Sequence, residues 1–245
     1  MLSLLLTVLL GPRTIEIDVD GLTRQLIVYP GNSGKNMPLV FGFHGHGGNM
    51  RQAARSFGIH EAWPGATVAY LQGVPTPGKT DPEGKKNGWQ QQPGEHKDRD
   101  LAFFDAAFDR LKKDYSIDLD RVYAMGHSNG GRFTWILWAK RGDRFAAFGP
   151  SASPAGLWSR NAPPRSAFII AGEKDQLVSI VGMQASIQSV RRLLGVGAEP
   201  KKDGYLTLEK GKDGLELASY VHPGGHEFAR AAIPMMVDFF KRHRR

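Results

Sequence analysis

Residues 121–131, RVYAMGHSNGG, constrain this chain more than any other stretch. A short apolar run at 122–125 stops at Gly126-His127-Ser128-Asn129-Gly130, and the pattern of residues 132–140 predicts a helix at once. A serine inside G-x-S-x-G, between a strand and a helix, is the pattern of a nucleophile raised on a sharp bend. The bend holds the serine in a strained backbone conformation. Gly126 and Gly130, which have no Cβ, let strand and helix approach on either side. The hydroxyl of Ser128 then stands clear, and the helix start aims N–H groups at charge developing beside it.

The rest of the chain supplies a setting for that bend. Residues 14–18 alternate and 22–29 are rich in β-formers, with Asp20-Gly21 between them, which predicts a hairpin. Residues 38–43 (PLVFGF) form a nearly continuous apolar strand, as expected of one buried on both faces. It runs into His44-Gly45-His46-Gly47-Gly48, and a helix follows around 51–57. Further strands are predicted at 67–71, 145–148 and 166–171, and a hairpin at 205–208 and 215–221. Helices are predicted at 100–115, 181–194 and 227–242, with Asp100 starting the first of these. Residues 72–97 are rich in Pro, Gly and charge, with Trp89 in their midst, and such a long irregular stretch points to function or mobility.

Strands alternating with helices give the α/β class: a mostly parallel central sheet, helices on both faces, and an antiparallel N-terminal hairpin at one edge. Ligands bind such sheets beyond the carboxyl ends of the strands. Three predicted strand ends carry suitable chemistry, at residues 44–48, at Ser128 and at Asp175, and His226 lies in the loop after the last strand. The order Ser, Asp, His is that of an α/β-hydrolase. A serine hydroxyl needs an adjacent base, an imidazole supplies one, and a carboxylate holds the imidazole in the right tautomer. His222 competes with His226 for the base, but the Pro223-Gly224-Gly225 turn favours His226. Asp203 and Asp213 sit in turns, where aspartate is ordinary, so Asp175 is preferred as the carboxylate. The backbone N–H groups of His46 and Asn129 are the candidate oxyanion donors. Trp89 and His127 are the candidate substrate-contacting side chains, although both also read as packing residues.

Composition narrows the remaining classes. At 245 residues one domain is the default, here 13–245, with 1–12 a flexible start or the remnant of a leader. There is no cysteine, which excludes disulfides and a thiolate nucleophile. His44 and His46 lack a neighbouring carboxylate, so no metal and no cofactor is expected. Of the net charge of +8, Lys241, Arg242, Arg244 and Arg245 contribute four, which reads as a frayed, solvated tail. With no recognition motif beside it, a nucleic-acid partner is not expected. The apolar run at 2–10 is too short to span a bilayer, and neither a preceding basic residue nor an A-x-A site accompanies it.

HGHGG after a strand, D-x-D-R-V-Y-x-x-G-x-S-N-G-G, F-A-A-x-x-P-x-A, G-x-x-D-x-x-V and G-G-H-x-F together resemble the bacterial polyhydroxybutyrate-depolymerase-like and feruloyl-esterase-like serine esterases of the α/β-hydrolase fold. The likeness runs from about residue 26 to the end. It implies Ser128, Asp175 and His226 as a triad, and a small-molecule or polymer-end carboxylic ester as substrate: aryl, feruloyl or hydroxyalkanoate. It also implies export or a periplasmic site, since members are often exported, though the absence of cysteine suits the cytosol too. Members often carry a cysteine in the oxyanion turn, which this chain lacks. A serine peptidase of the same fold and a non-catalytic binding protein are the alternatives.

Overall fold

The computed structural model describes residues 11–32, 34–197 and 199–245; the apolar run at 2–10 lies outside the described residues. Its frame is one ten-stranded sheet. In chain order the strands and helices are β1 (Arg13–Val19), β2 (Leu22–Tyr29), β3 (Met37–Phe43), α1 (Met50–Phe57), α2 (Ile59–Ala62) and β4 (Thr67–Leu71). A two-residue pair, β5 (Val74–Pro75) and β6 (Asn87–Gly88), precedes α3 (Arg99–Asp114), β7 (Ile117–His127), α4 (Asn129–Arg141), β8 (Ala147–Ser151) and β9 (Ser166–Gly172). The chain ends with α5 (Ile180–Leu194), β10 (Lys201–Asp203), β11 (Leu206–Lys210), β12 (Glu216–His222) and α6 (Ile233–Arg242).

The strand order is β1-β2-β4-β3-β7-β8-β9-β12-β11-β10. The five central pairings, from β4·β3 to β9·β12, are parallel, and the hairpins β1·β2 and β11·β10 flank them as antiparallel edges. Parallel strands wound this way are buried on both faces, and β3, β4, β8 and β9 are buried along their whole length. Alternation divides their side chains. Leu39, Phe41 and Phe43 join the α3, α4 and α5 layer, while Val40 faces the α1, α2 and α6 layer.

Three readings of the sequence need correction, and one strand went unread. The closing helix begins at Ile233, not at 227, with Pro234 in its first turn where a missing N–H costs nothing. Residues 227–229 stay irregular, and Phe228 packs on Phe57 instead, with ring centroids 4.6 Å apart. The basic C-terminus is docked rather than frayed: Arg244 and Arg245 pair with Asp118 and Asp120, and Arg242 pairs with Glu216. Asp100 is not the cap of α3. Asp98 holds that position, and Asp100 lies buried in the first turn against Arg24, 2.8 Å away. Finally, β10 reads Lys-Lys-Asp, a wholly exposed edge strand with no apolar pattern to betray it.

Candidate active site

β7 delivers its last residue, His127, to the carboxyl edge of the sheet, and Ser128 follows with φ +56° and ψ −119°. A non-glycine residue there is strained by about 1–3 kcal/mol and needs surrounding structure to hold it. That structure is present. The Ser128 N–H donates to the Ser151 carbonyl at 2.9 Å, and the Arg132 N–H donates to the Ser128 carbonyl at 2.9 Å. A Cβ on Gly126 would lie 2.4 Å from the Gly130 carbonyl oxygen, and one on Gly130 would lie 2.1 Å from that of Phe43. Both positions therefore admit only glycine.

Two other strand ends meet Ser128. The Ser128 hydroxyl donates to His226 Nε2 at 2.8 Å, and His226 Nδ1–H donates to Asp175 Oδ2 at 2.7 Å. A carboxylate only accepts, so this series fixes the imidazole tautomer. The loops carrying Asp175 and His226 are sewn together by backbone bonds from Glu173 N–H to the His222 carbonyl and from Lys174 N–H to that of Gly224. A Cβ on Gly172 would lie 2.2 Å from the Gly225 carbonyl oxygen, so glycine is again required for the approach. Asp175 Oδ1 accepts the N–H groups of Leu177 and Val178, each at 2.8 Å. Burial pushes this carboxyl up, but the Val178 amide, His226 and the Leu177 amide outweigh it and hold it below the usual carboxylate range. The side chain of Asp175 is only 2% exposed, against 23% for His226.

The turn after β3 lies across from Ser128. Among the described residues neither the His46 N–H nor the Asn129 N–H has a hydrogen-bond partner. The turn itself is pinned. His44 Nδ1–H donates to the Gly45 carbonyl at 2.8 Å, its Nε2 accepts the Gly73 N–H at 2.9 Å, and Gly47 N–H reaches the Asn87 carbonyl at 2.7 Å. Burial lowers the His44 pKa to about 4, so its ring is neutral at pH 7. His46 Nε2–H donates to Asp81 Oδ2 at 3.2 Å. Among the described residues no three His, Asp or Glu side chains converge on a metal position.

The candidate contact residues fare differently. Trp89 does not reach the cleft: its side chain is fully buried, stacked on Phe133 at 5.3 Å, with Nε1–H donating to the His44 carbonyl at 2.9 Å. An aromatic residue in a Pro/Gly-rich stretch looks alike whether it lines a cleft or plugs a core, and here it plugs the core. His127 does line the cleft, with its ring 5.1 Å from that of His226. Burial, followed by the nearby His226, lowers its pKa to about 4. His222 turns away and accepts the Gly224 N–H at Nδ1. Three ties with no local signature in the sequence moor residues 72–97, two to the serine turn and its helix and one to the turn after β3. Asn129 exchanges hydrogen bonds with the Trp89 backbone at 2.7 and 3.0 Å, Arg132 Nε–H donates to the Gln91 carbonyl at 2.9 Å, and Asp81 holds His46.

The cleft has two lobes that share Ser128 and His226. One, about 430 Å³, lies over α1 and is lined by Gln52, Phe57, His127 and Phe228 among others. The other, about 320 Å³, lies beside α4 and is lined by Lys79, Gln91, Arg132, Pro154 and Leu177 among others. An ester presents two limbs about one carbonyl, and the serine sits where the lobes join.

Comparison with known proteins finds esterases among the relatives of this chain. The model of the prolyl oligopeptidase family matches residues 83–160, the stretch centred on the serine turn. A putative esterase, NocK of Nocardia uniformis subsp. tsuyamanensis, is 30% identical over 205 residues, covering 79% of this chain and 56% of its own length. The bifunctional acetylxylan esterase/xylanase XynS20E of Neocallimastix patriciarum is 27% identical over 176 residues, covering 70% of this chain and 24% of its own. The chain thus spans about half or less of these two relatives. A solved ferulic acid esterase superimposes with a TM-score of 0.69 at 14% identity, covering 95% of this chain and 98% of that one. No helix among the described residues is long and apolar enough to cross a membrane. Sheet order and this structural likeness together give the chain the α/β-hydrolase fold.

Proposed function

We propose that this protein is a serine esterase that cleaves carboxylic esters through an acyl-enzyme, with residues 13–245 as its catalytic domain. The observation that carries the reading is the unbroken hydrogen-bond series from Ser128 through His226 to Asp175. Ser128 Oγ attacks the ester carbonyl carbon as its proton passes to His226 Nε2. The carbonyl oxygen becomes an anion held by the His46 and Asn129 N–H groups. The intermediate collapses, the C–O bond to the alcohol breaks, and His226 returns the proton to the departing alkoxide. Water then repeats the sequence: His226 takes its proton, hydroxide adds to the acyl carbon, and the acid leaves as Ser128 recovers its hydrogen. Asp175 holds the imidazole tautomer throughout and offsets the charge the ring acquires.

Relatives named for acetylxylan and ferulic acid esters support small acyl or aryl esters as substrates. The match to the prolyl oligopeptidase model stops before Asp175 and so reports the shared serine turn rather than a preference for peptides. The resemblance to often-exported esterases supports export, which fractionation of cells expressing the full chain tests. The decisive experiment is a panel of p-nitrophenyl esters with wild type and Ser128→Ala. Turnover falls on the order of 10⁴–10⁶ in the variant. Equal rates in the two would refute the reading.

A further inference from the structure

We propose that the ester this site takes carries a carboxylate on the limb that enters the lobe beside α4. The inference deepens the esterase reading and rests on it. Among the described residues, the lobe over α1 has no Lys, Arg, Asp or Glu in its lining. Among the described residues, the lobe beside α4 is lined by two cations, Lys79 and Arg132, and no carboxylate. The nearby acids are already engaged: Asp81 by His46 and the Lys86 amide, Asp175 by His226, and Glu95 by the amides of Gln91 and Gln92.

Arg132 is built in rather than loose. Its Nε–H donates to the Gln91 carbonyl at 2.9 Å and its Nη1–H to the Pro154 carbonyl at 2.8 Å, while Nη2 has no partner among the described residues. The guanidinium is partly desolvated, and Glu95 is the carboxylate that acts on it. A planar guanidinium with donors to spare is matched to a carboxylate. Arg132 follows Ser128 by one helical turn, roughly 6 Å along the axis, so the charge it receives sits a short chain from the reacting carbonyl. Pro154 and Leu177 line that path, and Lys79 stands exposed at its mouth.

Two matched pairs of esters test this on the full chain, with the Ser128→Ala blank subtracted. Mono-(4-nitrophenyl) glutarate against 4-nitrophenyl valerate places the charge on the acyl limb. 4-Acetoxybenzoate against its methyl ester places it on the alcohol limb. In one pair, Lys79→Gln lowers the anionic-to-neutral ratio of kcat/KM about three- to tenfold and Arg132→Gln lowers it further, while the other pair keeps its ratio. Raising salt from about 0.02 to 0.5 M lowers the same ratio, as screening of a charge contact requires. Because Arg132 also braces two carbonyls, Lys79→Gln and the salt series decide the matter if Arg132→Gln fails to fold. Ratios that ignore both, while neutral esters turn over, would overturn the inference and leave the esterase standing. No turnover of any ester would overturn both.

Discussion

Gly130 shows how little room a single residue has here. Its Cα faces the end of β3, and a Cβ would lie 2.1 Å from the Phe43 carbonyl oxygen, a fixed backbone atom. Gly130→Ala must push α4 away from β3, so it costs about 1–3 kcal/mol of stability in urea melts and takes esterase activity down with it. Retention of both would mean that the turn is slack. Asp175 sets a different test, one of chemistry rather than space. Asn keeps an oxygen for the Leu177 and Val178 amides but can face His226 Nδ1 with an N–H, which favours the wrong tautomer. Asp175→Asn should therefore fold normally and lose on the order of 10³–10⁴ in kcat, with KM little changed. Unchanged kcat would remove Asp175 from the mechanism.

Among the elements, the segment between β4 and α3 matters most, because it lines part of the cleft with little regular structure beyond the short β5·β6 pair. Arg24 on β2 donates through Nη2 to Asp100 at 2.8 Å and to the Gln72 carbonyl at 3.3 Å, while Asp100 also accepts the Gln90 N–H at 2.8 Å. Both charges are buried, and Arg24 lies over the Phe103 ring at 4.3 Å. Asp100→Ala strands the guanidinium and should cost about 3–5 kcal/mol, whereas Arg24→Met with Asp100→Leu should recover most of that loss in thermal melts. A single variant as stable as wild type would show the pair to be idle. The sequence held no trace of this pairing, because Arg24 and Asp100 stand 76 residues apart with no local pattern to link them. Patterns that are local were legible: Asp20-Gly21 between two β-rich runs gave the hairpin, and PLVFGF gave a strand buried on both faces. Ser128 could be placed because its turn is written in adjacent residues. Asp175 and His226 could be nominated because parallel sheets gather their strand ends at one edge. Trp89, Asp81 and Arg132 needed the tertiary fold, since what decides each is which backbone carbonyl or side chain the irregular segment meets.

The whole molecule couples the catalytic edge to pH through its buried histidines. Burial lowers the pKa of both His44 and His127 to about 4, and it also lowers those of His60 and His243. Above pH 6.5 neither the folded nor the unfolded chain protonates these rings, so stability is flat. Between 6.5 and about 4 the unfolded chain takes up protons that folded His44 and His127 refuse. Stability therefore falls as pH drops, by up to about 1.4 kcal/mol per pH unit for each ring, and levels off below the folded pKa. Asp175, held below the usual carboxylate range, extends the loss to lower pH. Urea titrations at about pH 7.5, 6 and 4.5 should show this slope, and His44→Gln should remove about one proton's share of it. A stability independent of pH over that range would mean that the rings are solvated in the folded state. Activity should follow, because a protonated His44 Nε2 can no longer accept the Gly73 N–H. Losing that bond frees the turn that presents the His46 amide, so the oxyanion donor is lost before the fold is.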